Sequence, residues 1–388
     1  MRPTHQLRPL WRRQAGTPRT RRTISTGPGS FANIRYELLA RPPKCYYDYL
    51  TPTSSHLLSV TLADQLAPLQ ARRPYPPPSS SDVDHWTLPK VHHHGEGGTT
   101  APELAQGHHL VYFPPTHPSS ALLPDGTDAD HWPGPPFARR LWAGGSVSFA
   151  APSSSSPPQL ILDKRRAACV ERVEDVRLTW ARSSSSPAAL GGELEGGDGA
   201  RSAADDKVFV DVVRRYGWVG ADEDTMGGAE VVSRIEGDPA IVERRTLVFL
   251  ADKAKDVSRD RRPKPKLYED PEFSMTFTAS PAVLFRFSAL SFNAHAIHLD
   301  PGHCKAVEGY EKPLVHGPLL LVLMFSALKA AVAGRQLTAT RDLEYVNLQP
   351  VFVGEEMRVC VRPGKTKWHV WVEGEDGRLC VKGSAQLV

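Results

Sequence analysis

The sequence predicts an α+β protein in which antiparallel sheets wrap around helices. Three observations support this fold class: an apolar segment at 318–333 with the length of a buried helix, short alternating strands after it, and an earlier helix-then-strands order in the first half. The chain has 388 residues, which is enough for two domains that each have their own core.

The apolar segment at 318–333 is too short to span a membrane. Its 16 residues would form a helix of about 24 Å, whereas a bilayer span needs about 20 mostly apolar residues. Pro318 occupies a first-turn position that favours proline, and Gly334 is a natural helix C-cap. Apolar side chains occur on all sides, which is typical of a helix buried in a soluble protein. A sheet curled around such a helix is the hot-dog fold.

Strand-like segments follow a helix in each half of the chain. In the N-terminal half a predicted helix at 54–69 precedes segments rich in β-branched and aromatic residues, which are 109–115, 141–149, 178–182, 208–219 and 240–250. In the C-terminal half the apolar helix precedes a strand at 343–354 and three strands within 357–388. The sequence therefore predicts a double hot-dog, with two antiparallel sheets each wrapped around a helix. Its N-terminal half is degenerate and carries Ser/Pro-rich insertions.

Composition divides the chain into four parts. Residues 1–36 contain eight arginines and no acidic residue, which is typical of a mitochondrial transit peptide; a disordered basic tail or a nucleic-acid-binding arm is the alternative. An N-terminal hot-dog domain is predicted over 37–250, a charged linker over 251–272 and a C-terminal catalytic domain over 273–388. We therefore expect a protein of the mitochondrial matrix.

Charge and cysteine usage disfavour several classes of protein. The formal net charge is only +4 and the basic excess lies at the N-terminus, which argues against a nucleic-acid-binding protein. The five cysteines are scattered and form no CxxC pair, so neither a disulfide framework nor a zinc ribbon is expected. The sequence also contains no GxGxxG or P-loop pattern, so nucleotide-driven chemistry is not indicated.

The loop before the apolar helix concentrates histidines. His295, His298 and His303, with Asp300, are candidate metal ligands, but no HExxH or comparable zinc signature is present. A histidine near an amide or a carboxylate, just before a helix N-terminus, suits proton abstraction beside a carbonyl. The helix start at 316–317 supplies free N–H groups for a developing thioester enolate. A capping loop with surface histidines is the remaining alternative. On these residues alone acid–base chemistry and the capping loop both stay open, and neither a metal nor a cofactor is expected.

The segment FSALSFNAHAIHLDPGHCKAVEGYEKPLVHGPLLLVL at 287–323 resembles the MaoC-like hot-dog dehydratases and R-specific enoyl-thioester hydratases. The signature of that family is D-x-N-P-x-H, followed by a G-x-x-x-H-G helix start. His298 falls on the family's catalytic histidine and Gly317 on its oxyanion-hole glycine. Asn293 stands where the family has its catalytic Asp, and His295 where it has Asn. An amide can hold a hydroxyl by hydrogen bonds, but it does not exchange a proton at neutral pH.

The N-terminal half carries a second resemblance. PDGTDADHWPGPPFARRLWAGGSVSF at 124–149 and IVERRTLVFL at 241–250 are similar to the N-terminal hot dog of two-domain members of the family. Those members are the mitochondrial 3-hydroxyacyl-thioester dehydratase type 2 and mesaconyl-CoA hydratase-like group. Arg139 and Arg140 in this segment could bind the phosphate of a phosphopantetheine or a carrier protein, because paired guanidinium groups suit phosphate. A structural ion pair is the favoured alternative.

The resemblance implies reversible dehydration of (3R)-hydroxyacyl thioesters, carried by acyl carrier protein or CoA, to trans-2-enoyl thioesters in mitochondrial fatty acid synthesis. It assigns removal of the C2 proton to His298 and polarisation of the thioester carbonyl to the Gly317 N–H; our own hypothesis is that Asn293, in place of the family's Asp, holds the 3-hydroxyl. His295 and His316 would contact the substrate. The alternatives are a CoA-thioester hydratase of the mesaconyl-CoA type and a non-catalytic thioester-binding protein. We expect an internal pseudo-dimer, with a homodimer as the alternative.

Overall fold

The computed structural model describes residues 28–66, 101–151, 159–179, 206–220, 226–251, 270–333, 335, 337 and 339–388. The helices are α1 (Pro28–Leu39), α2 (Pro52–Leu66), α3 (Gly228–Gly237), α4 (Pro281–Leu290), α5 (Pro301–His303) and α6 (Gly317–Ala331). The strands are β1 (Lys44–Tyr49), β2 (Arg139–Phe149), β3 (Arg166–Thr179), β4 (Lys207–Trp218), β5 (Ile241–Leu250), β6 (Phe273–Thr278), β7 (Thr340–Asn347), β8 (Glu356–Arg362), β9 (Trp368–Gly374) and β10 (Leu379–Leu387).

The strands form one continuous antiparallel sheet in the order β1-β3-β4-β5-β2-β7-β10-β9-β8-β6. The N-terminal half supplies the first five strands, and the halves meet where β2 pairs with β7. Glycine is required at this seam, because a Cβ on Gly144 would lie 2.5 Å from the Tyr345 carbonyl oxygen. The predicted double hot-dog fold is confirmed, and its two sheets are joined edge to edge.

Helix α6 is the core of the C-terminal half. Pro318 lies in its first turn, where no intrahelical N–H is needed, and the helix contacts β6, β7, β8 and β9. Leu321 and Leu323 are fully buried, and burial of one such side chain contributes about 1.5–3 kcal/mol to folding. The predicted buried helix is confirmed, with boundaries that differ by one or two residues.

The helices of the N-terminal half are arranged differently. Helix α1 packs against β3 and buries Leu38, so the predicted boundary of the transit peptide at residue 36 falls inside a packed helix. Helix α2 corresponds to the helix predicted at 54–69, but it packs against α4 and β6 of the other half. Helix α3 covers β3 and β4. The N-terminal sheet therefore leaves room for a cavity beside the C-terminal core.

The strand predicted at 109–115 is wrong. Residues 108–111 form a 3₁₀ turn, and the chain after it buries Tyr112 and Phe113 without pairing to the sheet. A short apolar run is compatible with any buried segment, and periodicity alone cannot identify it as a strand. The strand predicted at 343–354 is also too long, since β7 ends at Asn347.

Several predicted segments lie outside the described residues. They are the first 27 residues of the predicted transit peptide, most of the Ser/Pro-rich sequence, and residues 252–269 of the charged linker. Among the helices that the structure describes, none is long and apolar enough to cross a membrane.

Candidate active site

The loop between α4 and α6 borders a cavity of about 820 Å³ that both halves of the protein line. Asn293, His295 and His298 lie along one wall, and the first residues of α6 lie beside them. Strands β2 to β5 supply many of the other lining residues. A cavity of this size with a few convergent polar groups is the default binding site of a protein, so we take it as the candidate active site.

His298 is held in a single tautomer. Its Nδ1 donates a hydrogen bond of 2.8 Å to the carbonyl oxygen of Leu314. Because a carbonyl can only accept, Nδ1 carries the hydrogen and Nε2 keeps a free lone pair in the neutral ring. The Leu314 N–H donates in turn to the Ile297 carbonyl at 3.0 Å, which anchors the acceptor. His298 therefore has the form of a general base.

His316 supports the His298 ring from one face. The two rings stack with centroids 3.7 Å apart and planes 23° from parallel. His316 is fully buried, and its Nε2 shares a hydrogen bond of 2.8 Å with the hydroxyl of Ser288 on α4. This stack fixes the plane of the His298 ring, so the position of its lone pair is set by packing as well as by hydrogen bonding.

Burial favours the neutral form of all three site histidines. Burial lowers the pKa of His298 to about 4; the hydrogen bond to Leu314 raises it and the charge of Arg140 lowers it. Burial, reinforced by the other site histidines, holds the pKa values of His295 and His316 well below the ordinary range. A neutral imidazole is the form that can accept a proton, so the environment favours the basic state.

Asn293 presents a donor to the cavity. Its side-chain Oδ1 accepts a hydrogen bond of 3.0 Å from the His295 N–H, and its own N–H donates to the Ser288 carbonyl at 2.8 Å. Its Nδ2 makes no hydrogen bond with the described part of the chain, and the residue borders the cavity. Since Oδ1 is engaged by the backbone, the free group of Asn293 is an N–H donor.

His295 lies beside His298 and beneath a loop of the N-terminal half. The two rings are 5.5 Å apart and nearly perpendicular. The His295 Nε2 is buried 3.6 Å from the Asp125 carboxylate and has no hydrogen-bond partner among the described residues. The structure thus brings together His295, His298 and Asn293, as the spacing in the sequence suggested.

Gly317 is the first residue of α6. The N–H at this position has no intrahelical acceptor, and the positive end of the helix dipole lies here. A Cβ on Gly317 would lie 3.2 Å from both the Trp142 ring and the Asn347 amide, so glycine keeps this corner of the cavity open. The arrangement suits an oxygen atom that gains negative charge.

The two predicted phosphate ligands have different environments. Arg139 is buried and its Nε donates to Glu308 at 2.6 Å; it is absent from the cavity lining. Arg140 lines the cavity and pairs with Asp128 at 3.0 Å. Of the two, only Arg140 borders the space in which a substrate would lie.

Apart from Arg140, the polar residues that the N-terminal half supplies to the cavity region were not predicted. Arg214 lies 3.2 Å from Glu171, which also accepts from the Tyr46 hydroxyl at 3.2 Å. Arg245 pairs with Glu243 at 2.7 Å. These residues come from β1, β3, β4 and β5, and only the folded sheet brings them together. In the part of the chain that the structure describes, no group of three or more His, Cys, Asp or Glu could hold a metal ion.

The fold and the site define a class. The ten-stranded antiparallel sheet with its buried central helix is a double hot-dog, the fold of the MaoC-like dehydratases. A solved structure of a MaoC-like dehydratase covers 90% of this chain and 99% of its own, with a TM-score of 0.50 and 10% identity, which shows the shared fold.

The family follows from the sequence. The model of the family "Hydroxyacyl-thioester dehydratase type 2" matches residues 107–189 and 204–353, and the chain belongs to this family of hydro-lyases. It is similar to the mitochondrial hydroxyacyl-thioester dehydratase type 2 of Schizosaccharomyces pombe, with 24% identity over 68% of this chain and 80% of that protein. It is also similar to the mesaconyl-C(4)-CoA hydratase of Chloroflexus aurantiacus, with 26% identity over 72% of this chain and 82% of the other.

Proposed function

We propose that this protein catalyses the reversible syn dehydration of (3R)-hydroxyacyl thioesters to trans-2-enoyl thioesters. The observation that carries the proposal is the Nδ1–H of His298 on the Leu314 carbonyl, which leaves Nε2 as a base beside the N-terminus of α6. Membership of the hydroxyacyl-thioester dehydratase type 2 family supports the same reaction.

The reaction needs a base and a hydrogen-bond donor that stabilises negative charge on the thioester oxygen. The His298 Nε2 removes the C2 proton, and the electron pair moves toward the thioester carbonyl, which the Gly317 N–H stabilises. The C3–O bond then breaks, the C2–C3 double bond forms, and His298 returns its proton to the departing hydroxyl, which leaves as water. Asn293 donates from Nδ2 to that oxygen. Removal of one oxyanion donor typically costs about 2.7–4 kcal/mol of transition-state stabilisation.

The substrate is proposed to be carried by acyl carrier protein in mitochondrial fatty acid synthesis. The Arg-rich N-terminus and the mitochondrial relative support this setting. Arg140 borders the cavity, and in this proposal it lies near the phosphopantetheine arm.

A CoA-thioester hydratase of the mesaconyl-CoA type is the second candidate. The guanidinium groups of Arg214 and Arg245 border the cavity, and guanidinium groups suit a carboxylate on the acyl group. The bacterial relative supports this candidate.

The purified protein tests both candidates directly. Crotonyl thioesters of acyl carrier protein and of CoA, together with mesaconyl-CoA, are added separately and the loss of enoyl absorbance is followed. Turnover of the carrier-protein form above the CoA forms supports the first candidate, and preference for mesaconyl-CoA supports the second. Binding of all three without turnover would contradict the proposal and support a non-catalytic thioester-binding protein.

A further inference from the structure

A turn of the N-terminal half that contains Asp125 and Gly126 contacts the loop between α4 and α6, which we call the catalytic loop, through backbone atoms. The Ala296 N–H donates to the carbonyl oxygen of Asp125 at 2.8 Å. Gly126 has a φ of +83°, and a Cβ on it would lie 2.1 Å from the Ala294 carbonyl oxygen, so only glycine allows this approach. The Asp125 side chain is therefore carried to the loop by a fixed main-chain contact.

Hydrogen bonds from Thr127 fix the orientation of the Asp125 carboxylate next to His295. Its Oδ1 accepts two hydrogen bonds from Thr127, from the N–H at 3.0 Å and from the hydroxyl at 2.7 Å. Its Oδ2 then lies 3.6 Å from the His295 Nε2, a nitrogen sequestered from solvent. The neighbouring Asp128 is engaged by Arg140 at 3.0 Å. Asp128 is thus engaged elsewhere, and the carboxylate that lies within 4 Å of the His295 Nε2 is that of Asp125.

We propose that His295, held in one tautomer by Asp125, is a second catalytic imidazole that binds the reacting hydroxyl or water through Nδ1. The negative charge of the Asp125 carboxylate, 3.6 Å from Nε2, favours the tautomer in which Nε2 carries the hydrogen, and the lone pair then lies on Nδ1 of a ring that borders the cavity. This inference rests on the proposed function.

The two histidines then have separate tasks. His298 carries the proton from C2 to the departing oxygen, while the His295 Nδ1 accepts a hydrogen bond from that hydroxyl and takes up no proton. In the hydration direction the same acceptor orients the attacking water, whose oxygen also receives the Asn293 Nδ2–H. Asn293 and His295 thus supply one donor and one acceptor to the same oxygen atom, whereas the family signature has a single carboxylate for this task. Asp125 is a positioning residue, since it acts through His295.

Three variants of the dyad separate catalysis from structure. Asp125→Asn keeps an acceptor for Thr127 but replaces Oδ2 by a donor, which reverses the His295 tautomer. We expect turnover to fall about 10- to 100-fold, with an unchanged KM and an unchanged melting temperature. His295→Asn keeps an acceptor at the Nδ1 position and should retain at least a tenth of the activity. His295→Gln keeps only the group facing Asp125 and should lose about 100-fold.

His303→Gln is the matched control, because His303 lies on the same loop but outside the cavity lining. Its activity should equal that of the wild type. If Gln at position 295 is tolerated better than Asn, the histidine serves only to pair with Asp125, and the inference is overturned. If the wild-type protein turns over no thioester, the proposed function fails, and the inference is then judged by a second measurement.

The second measurement needs no turnover. Long-range ¹H–¹⁵N correlation spectra of protein labelled at histidine report which ring nitrogen of His295 carries hydrogen, with His295→Asn used for assignment. The expected result is a protonated Nε2 in the wild type and a protonated Nδ1 in Asp125→Asn. A protonated Nδ1 in the wild type would overturn the inference, whatever the activity.

Discussion

With His298 as the proposed base, we expect the pKa of this residue to set the acid limb of the pH–rate profile. An ordinary histidine has a pKa of about 6.5, so about nine-tenths of it would be protonated at pH 5.5 and a base would be lost. Burial lowers the pKa of His298 to about 4, which leaves only about 3% protonated at the same pH. We therefore expect kcat/KM for hydration of a crotonyl thioester to be nearly equal at pH 5.5 and 7.5, where an ordinary histidine would cause a tenfold loss.

The charge of Arg140 offers a second way to change the pKa of His298. It lowers the pKa of His298, so Arg140→Gln should raise that pKa and move the acid limb of kcat/KM to higher pH. Arg335→Gln, which removes an exposed guanidinium paired with Glu272, should leave the limb in place. Initial rates are measured from pH 4.5 to 8 on protein shown to be folded by circular dichroism. An acid limb centred near pH 6.5 in the wild type would refute the assignment of a neutral His298 with a lowered pKa as the base.

Three further predictions concern the frame around the site. Gly126→Ala should lower the free energy of unfolding by about 1–3 kcal/mol and reduce activity, because the added Cβ displaces the catalytic loop. Gly377 also has a positive φ, but no atom lies near its Cβ position, so Gly377→Ala should cost less stability and leave activity unchanged. Urea unfolding and the crotonyl assay compare the two variants. Leu321→Ala in α6 should lower the free energy of unfolding by about 2–5 kcal/mol, because Leu321 is fully buried. Leu57 is 47% exposed, so Leu57→Ala should lower it by less than about 1 kcal/mol. Equal losses in the two variants would contradict the burial of α6. Burial lowers the pKa of His109 to about 4, so as the pH falls this histidine is protonated in the unfolded state before it is protonated in the folded state. The free energy of unfolding should therefore fall by about 2 kcal/mol between pH 7 and pH 5 on account of His109. Melting curves of His109→Leu at the two pH values should lack this contribution.

The sequence predicted the parts of the fold that local chemistry determines. The central helix was found because a proline opens an all-apolar run of limited length, and α6 begins within one residue of the predicted start. Strands β8 to β10 were found because alternation and turn residues bound each of them. His298 was singled out by its place in a motif, and the structure gives that place a physical meaning, the hydrogen bond to Leu314.

The rest of the site depends on contacts between distant segments. Asp125 reaches His295 through a turn about 170 residues earlier in the chain, and no local pattern indicates that meeting. Arg214 and Arg245 line the cavity only because β4 and β5 are neighbours in the sheet. The segment at 109–115 has a strand-like composition but is buried beneath the sheet, where packing decides its conformation.

The most direct test of the central claim is the activity of His298→Asn. The asparagine amide can still donate to the Leu314 carbonyl, but it places no base at the position of Nε2. With His303→Asn as the control and unfolding curves to verify the fold, we predict a 10²- to 10⁴-fold loss of crotonyl-thioester hydration in His298→Asn alone. Turnover within threefold of the wild type would contradict the account.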